Sequence, residues 1–152
     1  MSIQVDNIVK KYGEQEALKS ISFSLNKGEI VGLLGPNGAG KSTLMKILTT
    51  YIKPTSGKAT VNGYDIDEET IKVRQNIGYL PEHNPLYLDM YVREYLLYNA
   101  SIYKVDKDKI EGLIEQTGLS SHANKKIGEL SKGFRQRVGL AAALLHDPEV
   151  LI

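Results

Sequence analysis

The sequence predicts an α/β fold with a β-rich first third, a glycine-rich phosphate loop at its centre and a helical part inserted after Pro81. Three observations carry this. Ile21, Phe23 and Leu25 alternate with Ser22 and Ser24, the pattern of a half-buried strand. The apolar run Ile30-Val31-Gly32-Leu33-Leu34 precedes a loop rich in glycine, as a strand buried on both faces would. After Pro81, apolar residues recur at helical spacing.

The elements follow in order. Ile3, Val5, Ile8 and Val9 form a loosely alternating segment that ends at Tyr12-Gly13. After the strand around Ile21–Leu25, Asn26-Lys27-Gly28-Glu29 is a turn. Thr43 to Thr50 is expected to be helical and Pro54-Thr55-Ser56-Gly57 to stop it. Lys58 to Val61, then Asn62-Gly63, is a short strand entering a turn. Ile77 to Leu80 is another strand. Val92, Tyr95, Leu96, Asn99, Ile102 and Tyr103 mark a helix, with Asp89 as the candidate cap. Ile110, Leu113 and Ile114 mark a second helix closed by Gly118, and Phe134 to Leu145 a third that ends near Asp147-Pro148. Val150-Leu151-Ile152 begins a strand, expected to be central in the sheet.

Composition excludes more than it selects. The 152 residues carry 19 Lys plus Arg against 18 Asp plus Glu, a net charge of +1. Such balance argues against a surface devoted to nucleic acid or anionic membrane. Cysteine is absent, which removes disulfides, Cys-ligated metals and a Cys nucleophile. No apolar run is long enough to span a bilayer, and no secretory signal is visible. The expected location is cytoplasmic. The three histidines are scattered rather than set at metal-ligand spacing.

Gly35-Pro36-Asn37-Gly38-Ala39-Gly40-Lys41-Ser42 fits the P-loop pattern, with a strand expected before it and a helix after. The chemistry explains the residues. Glycines let the backbone curl so that consecutive N–H groups face phosphate oxygens. The helix that follows adds its own first donors and the positive end of its dipole. Lys41 is expected to reach the β- and γ-phosphates and Ser42 to ligate Mg²⁺, with the Thr43 hydroxyl nearby. The same segment without a ligand would be only a glycine-rich turn. ATP and Mg²⁺ are the expected ligands.

Leu130-Ser131-Lys132-Gly133-Phe134, followed by Arg135-Gln136-Arg137, resembles the Leu-Ser-Gly-Gly-Gln signature of ABC transporter ATP-binding proteins. Over its whole length the chain is similar to that family. The resemblance implies a P-loop NTPase (RecA-like) core at 1–86 and 138–152, a helical signature subdomain at 87–137, and an adenine-stacking role for Tyr12. It places the Q-loop at Gly78-Tyr79-Leu80-Pro81-Glu82, with Glu82 and Ser42 as Mg²⁺ ligands. It also implies a second ATPase subunit whose ATP meets this signature, and transmembrane permease subunits that hold the pair at the inner face of the membrane. Leu80 to Tyr87 and Leu130 to Gly133 most resemble the ATPases associated with bacterial gliding motility.

The chain departs from the family pattern at two places. Glu82 stands where the Q-loop has glutamine; it can approach Mg²⁺ but cannot donate an amide hydrogen bond. Lys132 and Phe134 replace the first glycine and the glutamine of the signature. Ser131 remains a fair helix N-cap. The family's Asp and Glu after the Val-Leu-Ile strand fall beyond Ile152, so no catalytic residue is assigned. The chain is expected to be incomplete at its C-terminus, and to bind nucleotide but hydrolyse it poorly.

Other features have quieter readings. Five of nine tyrosines lie between Tyr87 and Tyr103. Most are expected to pack helices, while Tyr87, Leu88 and Tyr91 are candidates for a groove that takes a permease helix. Lys125, Lys126, Lys132, Arg135 and Arg137 form a basic run, expected to attract the partner's nucleotide. Two rival functions compete with this reading. A soluble ABC ATPase acting on ribosome or nucleic acid is the alternative; Ser42 and Ser131 lie only about ninety residues apart, with no heptad array between. No nucleic-acid partner is expected. A GTPase or small-molecule kinase would want an Asn-Lys-x-Asp guanine reader, and Asn124-Lys125-Lys126-Ile127 lacks the acid.

Overall fold

Alternation at the N-terminus produces two long strands. β1 (Ile3–Tyr12) buries Ile3, Val5 and Ile8, and β2 (Gln15–Leu25) pairs with it antiparallel from Tyr12↔Gln15 to Ile3↔Leu25. The pairing is interrupted between Val5 and Ile8, where Asn7 takes positive φ, and again between Ile8 and Lys10, where Ser20 does. The bulge is closed by side chains: Asn7 Oδ1 accepts from Ser20 Oγ at 3.1 Å, and Asn7 N donates to Ser22 Oγ at 2.8 Å. α1 (Lys41–Leu48) follows the glycine-rich loop and buries Leu44, Ile47 and Leu48. β3 (Ser56–Val61) joins the free edge of β1, and β4 (Tyr64–Asp65) folds back on β3 through the Asn62-Gly63 turn. The sheet order is β2-β1-β3-β4, with α1 against β2 and β3. α2 (Thr70–Asn76), a helix the sequence reading missed, buries only Val73 and rests on β3 and β4. One apolar anchor in seven residues leaves no period to detect.

The computed structural model describes residues 1–152, and these form two compact units, Met1–Ile77 and Gly78–Ile152. The short strand β5 (Ile77–Gly78) spans the boundary, and β6 (Val150–Leu151) pairs with it. Ile152 N donates to Gly78 O and Leu80 N to Ile152 O, both at 2.8 Å; one residue bonded to both flanks of its neighbour is the pattern of a parallel pair. α3 (Val92–Tyr103), α4 (Lys109–Gln116) and α5 (Lys132–Leu144) enclose a core that includes Val92, Leu96, Ile110, Leu119, Ile127 and Val138.

Three sequence expectations fail. The strand at Val150-Leu151 is not central in a sheet, since it pairs with β5 alone. Ile30 to Leu34 is not a buried strand: no ladder includes it, Ile30 and Leu34 are almost fully exposed, and Val31 and Leu33 are exposed as well. Apolar side chains alone do not make a strand; its N–H and C=O groups need a neighbouring ladder. Asp89 is not the cap of α3. Backbone bonds from Ile127 N to Met90 O and from Val92 N to Lys125 O hold the chain extended there, so Tyr91 is the N-cap. The Glu94 carboxylate then accepts from Tyr91 N at 3.1 Å.

Candidate functional site

The phosphate loop lies in the first unit and is built by three glycines with positive φ, Gly35 at 156°, Gly38 at 83° and Gly40 at 86°. Gly40 is the N-cap of α1 and packs against β2. A Cβ there would lie 2.5 Å from the Ala17 carbonyl oxygen and 2.6 Å from Leu18 Cδ2. Only glycine satisfies both the torsion and the space. Ala39 N donates to Pro36 O at 3.2 Å, closing the loop on itself. Lys41 turns back over the loop, and its ammonium donates to the carbonyls of Gly35 at 2.6 Å and Pro36 at 2.7 Å.

The start of α1 has no side-chain cap. Its first bond runs from Leu44 N to Gly40 O at 2.9 Å. Lys41, Ser42 and Thr43 therefore carry N–H groups with no acceptor inside the helix. These donors, the dipole of α1 and the Lys41 ammonium converge on one exposed loop, the chemistry that a polyphosphate requires. Asn37 and Ser42 are exposed beside it. Tyr12, at the β1–β2 turn, is half-exposed, and Lys10 Nζ stands 5.2 Å from its ring centroid.

The signature residues lie in the second unit. Leu130 is buried, Ser131 caps α5 by accepting from Phe134 N at 3.4 Å, and Lys132 and Gly133 are exposed. The Ser131 cap expected from sequence is observed. Two of the five cations of the basic run have acceptors within the chain. Arg135 donates to Ile127 O at 3.2 Å and Gly128 O at 2.6 Å, and Arg137 to Gly118 O at 3.5 Å. Those two guanidiniums brace the turns before α5, because planar donor forks suit adjacent carbonyls. Glu82 is exposed, and its carbonyl accepts from Gln136 of α5 at 3.1 Å. The sequence offered no sign of that tie, since it joins a loop to a helix 54 residues on.

Ser42 and Glu82 thus belong to different units. No group of three or more His, Cys, Asp or Glu side chains stands ready to hold a metal ion. Tyr87 packs edge-on against Tyr95 at 6.1 Å and Tyr98 at 5.9 Å, while Tyr87, Leu88 and Tyr91 all remain about half-exposed. Tyr95 is buried, and that burial pushes its phenol pKa above the ordinary value. No helix is long and apolar enough to cross a membrane.

Residues 18–152 match the family model described as ABC transporter. The linearmycin resistance ATP-binding protein LnrL of Bacillus subtilis (strain 168) is 42% identical over 154 residues, covering 99% of this chain and 50% of the relative. The probable multidrug ABC transporter ATP-binding protein YbhF of Escherichia coli (strain K12) is 39% identical, over 98% of this chain and 26% of the relative. The bacitracin transport ATP-binding protein BcrA of Bacillus licheniformis is 37% identical, over 99% of this chain and 49% of the relative. The chain spans half or less of the length of these relatives. Their names give no support to a gliding-motility subtype or to a ribosomal or nucleic-acid role.

Among solved structures, the ATP-binding subunit of an ABC transporter superposes with a TM-score of 0.89 at 28% identity, over 99% of this chain and 65% of that one. The dimeric structure of a bacterial ABC transporter cassette gives 0.85 at 29% identity, over 98% and 72%. The fold is that of these α/β P-loop cassettes, with an antiparallel β part and a helical part. The family match over residues 18–152 and the 42% identity to LnrL show that the chain belongs to the ABC transporter family.

Proposed function

We propose that the protein carrying this chain is the ATP-binding subunit of an exporter, and that it couples ATP binding and hydrolysis to movement of a substrate through separate transmembrane subunits. The observation that carries the reading is the loop at Gly35–Ser42, where Lys41 and the uncapped start of α1 present their donors to one place. In this reading the β- and γ-phosphates take the Lys41 ammonium from the Gly35 and Pro36 carbonyls. The amides of Gly38 to Thr43 bind the remaining oxygens, and Tyr12 stacks on adenine. Ser42, in the first unit, and Glu82, in the second, are separate candidate Mg²⁺ ligands.

The signature, Leu130 to Phe134, acts on ATP held by a second subunit, with Ser131 and Gly133 nearest its γ-phosphate. The division into a core at 1–86 and 138–152 and a signature subdomain at 87–137 belongs to the same proposal. Relatives named for linearmycin resistance, bacitracin transport and multidrug transport favour a drug- or antibiotic-like substrate.

One variant tests the core of this. Lys41→Ala is expected to weaken ATP binding about tenfold to a hundredfold, the worth of one or two charge-assisted hydrogen bonds. In the same titration, Tyr12→Ala should cost a few-fold and Tyr12→Phe almost nothing. Cells whose only copy carries Lys41→Ala should become more sensitive to the transported compound. Unchanged ATP affinity in Lys41→Ala would reject the nucleotide site.

A further inference from the structure

Phe134 occupies the signature position where the family pattern has glutamine, and its surroundings are unusual for an apolar side chain. The His122 ring stacks on it, with centroids 3.9 Å apart and planes at 29°. The Arg137 guanidinium lies over it, 5.2 Å from the ring centroid. His122 sits in a short 3-10 turn, Ser120–His122, fixed by His122 N donating to Leu119 O at 2.8 Å, and Leu119 is fully buried. The imidazole Nδ1 is 2.9 Å from Ser121 Oγ. Arg137 also reaches Gly118 O at 3.5 Å, and a Cβ on Gly118 would lie 2.5 Å from its Nη1. Two contacts therefore bind the segment 118–122 to the start of α5: the His122 ring on Phe134, and Arg137 on the Gly118 carbonyl.

The backbone of Phe134 enters the same turn, since its N–H donates to Ser131 Oγ. Ring and amide together hold the residue from two sides. A glutamine there would have hydrogen-bonded; a ring flanked by an imidazole and a cation is held by stacking and by attraction between the cation and the π-face.

We propose that Phe134 is a positioning residue for the signature turn: clasped by His122 and Arg137, it fixes the first turn of α5 so that the Lys132 and Gly133 amides meet a phosphate of ATP bound to the partner subunit. The inference rests on the reading of Leu130–Phe134 as a signature. It adds that an aromatic ring at 134, and not merely an apolar one, is what this chain requires.

The test uses the whole protein in which this chain stands. Phe134→Leu should leave ATP affinity within about twofold, because the phosphate loop is untouched, while ATP-driven pairing in sedimentation and kcat fall about tenfold. Phe134→Tyr, which keeps the ring, should restore both. His122→Ala and Arg137→Gln leave Phe134 in place and should each reproduce part of the loss. Wild-type pairing and kcat in Phe134→Leu overturn the proposal, as does a Phe134→Tyr protein no better than Phe134→Leu. If Phe134→Leu loses its cooperative melt, His122→Ala decides: normal pairing there overturns the proposal. Ser131→Ala separates the layers. If it too pairs and turns over normally, the signature reading itself falls; if it is impaired while Phe134→Leu is not, only the role of Phe134 falls.

Discussion

Two helices begin at loops where an anion is expected, and they begin differently. α1 starts after Gly40, with φ at 86° and no side-chain cap. α5 starts after Ser131, with φ at −62° and ψ at 161° and its hydroxyl accepting from Phe134 N. The first arrangement gives up a cap worth about 1 kcal/mol and leaves its donors open to a ligand. The second uses one donor internally and is stable without one. An open helix start is a binding surface; a capped one is a rigid platform. The phosphate loop is accordingly the place where single substitutions should matter most.

Gly40→Ala should break the comparison at its strongest point. The new Cβ meets the Ala17 carbonyl and Leu18, at a torsion that side chains rarely adopt. The helix start must move, so ATP affinity is expected to fall at least about a hundredfold, close to 3 kcal/mol. Titration with a fluorescent ATP analogue measures it. An affinity within a few-fold of wild type would show that the geometry of Gly40 does not control the site.

The phosphate loop was legible because its chemistry is local. Eight consecutive residues carry the torsions, the donors and the lysine, so spacing alone reveals them. The Ser131 cap was legible for the same reason. What could not be read depends on partners distant in sequence. Ile30 to Leu34 has the composition of a buried strand, yet pairing is decided by other segments. The clasp on Phe134 joins residues 118, 122 and 137 across a turn, and no periodicity announces it. The carbonyls that Arg135 and Arg137 hold belong to residues 118, 127 and 128, which a basic run does not reveal.

The second unit has its own exposed feature, the tyrosine group before and along α3. Under the exporter reading, Tyr87→Ala combined with Tyr91→Ala should weaken co-purification with the transmembrane subunits by about tenfold or more, since aromatic anchors dominate interfaces. ATP affinity should not change. Undiminished co-purification would return these side chains to plain surface status and leave the second unit as a signature platform only.

Ser131→Ala addresses the capped helix directly. Losing the acceptor for Phe134 N should destabilise the second unit by about 1 kcal/mol, with Ser131→Asp recovering most of it. Denaturant melts of the three proteins check the ordering. If alanine costs nothing, the hydroxyl is not acting as a cap, and the contrast between α1 and α5 loses its second half.

The smallest effect concerns a turn in the first unit that uses a carboxylate as Ser131 uses its hydroxyl. Glu29 accepts from Asn26 N at 2.8 Å and from Asn26 Nδ2 at 3.0 Å. Both bonds favour the ionised form, the backbone one most, so its pKa lies below the ordinary 4.5. A depressed carboxylate pKa contributes stability that is fully present above about 4.5 and is lost as pH falls through the folded-state value. Glu29→Gln should remove that increment of acid sensitivity while leaving the melt at neutral pH nearly unchanged. Following the Glu29 carboxyl carbon by NMR titration gives the direct check. A midpoint at or above 4.5 would mean that Asn26 does not hold the carboxylate in solution, and that this turn, unlike the start of α5, is not closed by its side chain.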